Sequence, residues 1–219
     1  MTSARTRFVA ALALLLITGS VFAQTETGSL VCKPVTQRTS EQGCFILTNR
    51  ELGILPDVPL YWHIDRFASR KSADAMRGDD GTVIEAYGSV WLMTIARAGW
   101  QPANGTRTAE VGPLPLNAAL RYTAVYMETS FPAGPIAGPH THSGPEAFYV
   151  LSGEQCLETP QGKMTTRAGT SGIVPGGVPM ALTAIGTEQR RSLVLILHDS
   201  SHRATTPLNT WKAEGLCAS

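Results

Sequence analysis

Apolar and polar positions alternate in short runs along most of the chain, and Gly, Pro, Asn or Ser interrupts nearly every run within a few residues. Alternation of period two between frequent turn signals predicts short β-strands. In the first half, strands are predicted at Cys44–Leu47 and Leu60–Ile64, on either side of the breaker Gly53-Ile54-Leu55-Pro56-Asp57. Ser69–Arg77 lacks β-branched residues, opens on a serine suited to capping and is stopped by Gly78-Asp79-Asp80-Gly81, which predicts one short helix. Thr82–Ala86 and Val90–Ala96 read as two strands joined at Tyr87-Gly88-Ser89. Trp100–Asn117 is rich in Gly, Pro and Asn, includes the turn pair Asn104-Gly105, and is predicted to wrap the surface as a loop. Strands are then predicted at Arg121–Glu128, Ala147–Leu151, Gln155–Thr159, Gly172–Val174, Met180–Ala184 and Ser192–His198. So regular a series implies a β-sandwich or barrel.

The first residues break this pattern. Arg5 and Arg7 precede an apolar run from Phe8 to Ile17, followed by small residues up to Ala23. Charge, apolar core and small-residue boundary predict a secretory signal peptide over 1–23, cleaved after Ala23, and a periplasmic or secreted protein. The run is short for a membrane span, and no membrane association is expected after cleavage. The remainder divides into a β-rich extension at 24–117, a core at 118–200 and a polar tail at 201–219.

Composition narrows the class. With 43% hydrophobic and 16% charged residues the chain suits a packed domain. Its net charge is +1, without Lys or Arg runs, so no nucleic-acid partner is indicated. Neither a P-loop nor a dinucleotide fingerprint is present. Export gives the four cysteines, Cys32, Cys44, Cys156 and Cys217, an oxidising setting that permits two disulfides. Three connectivities are open. Cys32–Cys44 with Cys156–Cys217 is favoured, since it closes a short loop near the start and ties the tail to the body. No CxxC or CxH spacing supports a thiolate metal site.

The candidate chemistry lies at His140-Thr141-His142, followed by Glu146 after Ser143-Gly144-Pro145. Imidazoles at i and i+2 of an extended segment share a side, and the turn returns a carboxylate to them. Two neutral nitrogens and one hard oxygen suit a divalent ion, with positions left for water or substrate.

These residues resemble the cupin superfamily. The first cupin motif, G(X)5HXH(X)3,4E(X)6G, is matched at Gly134, His140, His142, Glu146 and Gly153. The second, G(X)5PXG(X)2H(X)3N, is matched at Gly169, Pro175 and Gly177, but Met180 stands for its histidine and Ala184 for its asparagine. The resemblance implies an all-β cupin barrel (a double-stranded β-helix or jelly roll) carrying an N-terminal β-rich extension with one short helix. That extension either completes the barrel sheets or is a decayed second cupin half.

The resemblance also implies a metal site at His140, His142 and Glu146, the ion being iron, manganese, zinc or copper. Met180 takes the fourth place, either as filler, as a thioether ligand that would favour copper, or as the mark of a degraded site. Phe148, Val150 and Gln155 are expected to face the cavity, with Tyr149 and Cys156 pointing away. Glu128 is a candidate partner of the ligands, and Arg121 and Tyr122 are candidates to reach substrate. His63 is expected in a partly buried, hydrogen-bonded state, and His198 and His202 at the surface. Three functions follow: a dioxygenase- or isomerase-like metalloenzyme acting on a small molecule, a non-catalytic binding protein, or a copper carrier. The superfamily further implies a homodimer through outer sheet faces.

Overall fold

The computed structural model describes residues 31–218, so the predicted leader lies outside the described residues. The chain enters through β1 (Lys33–Pro34) and the long β2 (Gly43–Ile54). It continues through β3 (Tyr61–Phe67), α1 (Arg70–Met76), the hairpin β4 (Gly81–Ala86) and β5 (Ser89–Ala96), and β6 (Thr106–Val111). The second half comprises β7 (Arg121–Phe131), β8 (Gly134–Thr141), β9 (Glu146–Ser152), β10 (Glu154–Thr159), β11 (Gly162–Arg167), β12 (Ser171–Val174), β13 (Met180–Ile185), β14 (Arg190–Asp199) and β15 (Thr206–Pro207).

The strands form three sheets, stacked as layers. A six-stranded sheet runs β1-β2-β7-β14-β9-β12, a five-stranded sheet runs β11-β10-β13-β8-β15, and a four-stranded sheet runs β4-β5-β3-β6. The first two face each other as a jelly roll, with no ladder closing them into one cylinder. Val125, Met127, Phe148, Val194 and Ile196 of the six-stranded sheet pack there against Ile136, Leu157, Met180 and Leu182 of the five-stranded one. The same six-stranded sheet turns its other face, with Tyr122, Tyr126, Leu193, Leu195 and Leu197, onto Trp62, Ile64, Trp91 and Met93 of the four-stranded sheet. It is therefore covered on both sides. This is why β14 reads as the unbroken apolar run Leu193–Leu197, whereas β13 of the five-stranded sheet alternates buried and half-buried positions.

The extension thus splits between two layers. Its β1 and β2 join the jelly roll beside β7, and β3 to β6 form the outer sheet. Two sequence expectations are corrected here. Thr106–Val111, placed within a surface loop, is the edge strand β6. The first strand is also far longer than Cys44–Leu47 and runs on to Ile54, through residues read as a breaker.

Local chemistry explains the remaining joints. Ser69 caps α1 through a reciprocal capping box with Ser72. The β4–β5 turn holds Tyr87 and Gly88 at φ of 52° and 69°, the two left-handed positions of a two-residue hairpin turn. A tyrosine is strained there, and its hydroxyl donates across the layer boundary to the Thr129 carbonyl at 2.8 Å. Burial raises that phenol to about 12. Disulfides join Cys32 to Cys44 and Cys156 to Cys217. The Glu158 carboxylate accepts the Leu216 backbone N–H at 2.9 Å and also that of Glu214, so the tail is pinned where the second disulfide holds it.

Candidate metal centre

His140 sits at the end of β8, His142 just beyond it and Glu146 at the start of β9, all on the inner face and all buried. The connecting turn is fixed from several directions. Gly177 N–H donates to the His142 carbonyl at 2.8 Å, and Leu197 N–H to the Pro145 carbonyl at 2.9 Å. The backbones approach so closely that a Cβ on Gly144 would lie 2.0 Å from the Leu197 carbonyl oxygen, and one on Gly176 2.6 Å from the Gly144 Cα. Glycine is thus required on both sides of the contact, which brings the second motif's loop against the first motif's turn.

The ligand atoms of His140, His142 and Glu146 lie within 4.8 Å of one another. His140 Nδ1–H donates to the Gly138 carbonyl at 2.7 Å, and His142 Nδ1–H to the Ala204 carbonyl at 2.6 Å. A carbonyl only accepts, so both Nδ1 atoms carry their protons and the Nε2 atoms are the ones turned to the site. Backbone bonds of this kind orient the histidines of metal sites. His142 Nε2 lies 3.0 Å from Glu146 Oε2, as an ion pair across a shared proton. Burial pulls the His142 imidazole down, but the Glu146 charge, its hydrogen bond and the Ala204 carbonyl outweigh that and raise it. His140 lacks such a bond, and burial lowers it despite the Glu146 charge. A divalent ion would take the place of the proton between His142 and Glu146. The donor set fits one: two oriented nitrogens, one carboxylate, and a low-dielectric wall.

The triad lines a cavity of about 370 Å³ between the two jelly-roll sheets. Met180 is fully buried, pairs with His140 in the β13–β8 register and lines the same cavity. Of the three other cavity candidates, Phe148 is in the wall. Val150 and Gln155 are fully buried outside that lining, Gln155 accepting a 2.8 Å hydrogen bond from Arg190 Nε. Cys156 faces away, toward the tail. Glu128 lies on the opposite face of β7 and forms an ion pair with Arg38. Tyr122 packs in the interface with the outer sheet, and exposed Arg121 pairs with Glu51. His63 is fully buried and bonded to the Arg97 carbonyl, while His202 is exposed.

Three contributors were missed by sequence reasoning. Ala204, from the tail, supplies the carbonyl that orients His142, and β15 pairs with β8 beside it. Arg203 lines the cavity from the same segment. Arg190 lines it from β14 and is fully buried.

The inner face of the two-sheet jelly roll thus carries the HxH pair and the glutamate that follows it. Residues 127–196 match the family model for the Cupin domain, and the chain carries a cupin domain there. No curated protein matches the chain. Solved structures similar to it include a cupin-2 domain containing protein from Shewanella frigidimarina, 20% identical over 33% of this chain and 68% of that one, with a TM-score of 0.29. A cupin superfamily protein from Desulfitobacterium hafniense is 17% identical over 39% and 74%, at 0.33. Oxalate decarboxylase from Bacillus subtilis is 21% identical over 42% of this chain and 25% of that one, at 0.34.

Proposed function

We propose that this protein is an exported, metal-dependent cupin enzyme of dioxygenase or isomerase type, acting on a small molecule held between the jelly-roll sheets. The observation that carries this reading is the orientation of the triad. Backbone carbonyls fix both imidazoles at Nδ1, so their Nε2 atoms converge with the Glu146 carboxylate in a buried pocket. A bound ion would supply Lewis acidity and open positions for substrate, water or oxygen. The chain's own residues do the rest. His140, His142 and Glu146 hold the ion, Glu146 offers a carboxylate oxygen for a proton, and Phe148, Ile136 and Val194 keep the wall apolar. Export is supported by the leader sequence and by the two disulfides.

A second reading, copper binding, is favoured by one observation: Met180 lines the cavity in register with His140. Metal content decides between them, measured by plasma mass spectrometry on mature protein prepared from the periplasm. Near one equivalent of iron, manganese or zinc is expected, lost in His140→Ala and Glu146→Gln and retained in Met180→Leu. Copper lost in Met180→Leu would support the second reading. No metal in the wild type after reconstitution would leave a binding protein without catalysis.

A further inference from the structure

Arg190 is the largest charged side chain in the interior, with 0% exposure. No carboxylate lies within ion-pair distance of it among the described residues. Its recorded partners are neutral: Gln155 accepts from Nε at 2.8 Å and from Nη2, and Thr129 Oγ1 accepts from Nη1. A guanidinium has five N–H donors, so these bonds leave one on each terminal nitrogen, the arrangement that receives a carboxylate end-on. Burial lowers this guanidinium only to about 10, so it is charged at neutral pH. The Glu146 charge reaches the guanidinium without contacting it; a buried charge with no contacting counter-charge is costly, and this one borders a cavity.

The surroundings specify the missing partner further. The cavity's charged lining is Glu146, Arg190 and Arg203, beside the two histidines. Cations exceed anions, and an ion at the triad would widen that excess. Most of the remaining wall is apolar, including Val125, Ile136, Phe148 and Ile196. Thr129, which holds the guanidinium, faces Ser192 on β14, whereas Glu146 faces Ile196. Those levels lie four residues apart, roughly 13 Å along the strand. The cavity's volume suits a small organic ligand.

We propose that the cavity takes an organic acid, its carboxylate seated on Arg190 and its apolar body lying along the walls toward His140, His142 and Glu146. The placement of the far end rests on the metal-site reading, whereas the carboxylate seat does not. Titration calorimetry with hexanoate and benzoate, against hexanamide and benzamide, tests it in metal-loaded and chelator-stripped protein. The acids should bind at least tenfold tighter than the amides in both forms. Arg190→Met should abolish that preference while metal content and the circular dichroism spectrum match the wild type. Arg190→Lys should weaken it, because an ammonium lacks the planar fork, and it serves if Arg190→Met does not fold. A preference below threefold in the stripped wild type, one that survives in folded Arg190→Met, or one undiminished in folded Arg190→Lys overturns the proposal. Acid preference without any metal uptake would overturn the metal-site reading alone.

Discussion

His63 shows what a single residue contributes to the molecule's response to acid. It is fully buried on β3, its Nε2–H donating to the Arg97 carbonyl at 3.0 Å, with Glu110 Oε2 3.4 Å from Nδ1 and Arg107 and Asp65 nearby. Burial first, and then the Arg107 charge, hold its pKa below the ordinary 6.5. The folded state therefore takes up a proton less readily than the unfolded chain. Its contribution is intact above about pH 6.5 and is lost as the pH falls from there toward the folded value. Chemical denaturation between pH 7.5 and 5 should show the wild type losing stability relative to His63→Gln, which keeps a donor for Arg97 but cannot titrate. Parallel pH profiles would refute this. The burial of His63 is readable from its aromatic strand, but its neighbours Arg107 and Glu110 come from β6, which the sequence presents as loop. Arg190 was hidden for a similar reason. Gln189-Arg190-Arg191 looks like surface charge beside a turn, and β14 was read as starting at Ser192. Extending that strand by two residues puts Arg190 in phase with Val194 and Ile196, facing inward.

At the scale of elements, legibility followed how far each strand is governed by its own pattern. Hairpin β4–β5 and helix α1 carry their signals locally, in a two-residue turn and a serine cap, and lie close to where the sequence placed them. β8 does not: Gly134-Pro-Ile-Ala-Gly-Pro lacks alternation, and it is held extended by β13 through an irregular register and by β15 from the tail. The tail itself read as a polar appendage, yet it orients His142 through Ala204 and is stapled further on by Cys156–Cys217. That bridge spans a separation of 61 residues, and loss of such a cross-link costs about 4 kcal/mol on chain-entropy grounds. A Cys156→Ser, Cys217→Ser double variant should lose that much stability in urea titration. A loss below about 1 kcal/mol would mean that the Glu158 bonds and β15 hold the tail unaided.

On the scale of the whole molecule, the three-layer stack determines which surfaces are available. The outer face of the six-stranded sheet is occupied by this chain's own β3 to β6. The motifs revealed the jelly roll because they are confined to residues 134–184. They carried no information on the third layer, which depends on which face of β7 and β14 the extension meets.

Enclosure from both sides also decides how freely the chain can vary. Ser192 to Leu197 has no position that points to water, whereas β13 alternates buried and half-buried along its length. In a saturation library scored by protein abundance, β14 should reject charged substitutions at every consecutive position from 192 to 197, and β13 at every second one. β14 and its neighbour β7, buried at every position from Ala124 to Ser130, separate the outer sheet from the cavity; inherited change has little room in either, and descendants of this sequence should differ there late.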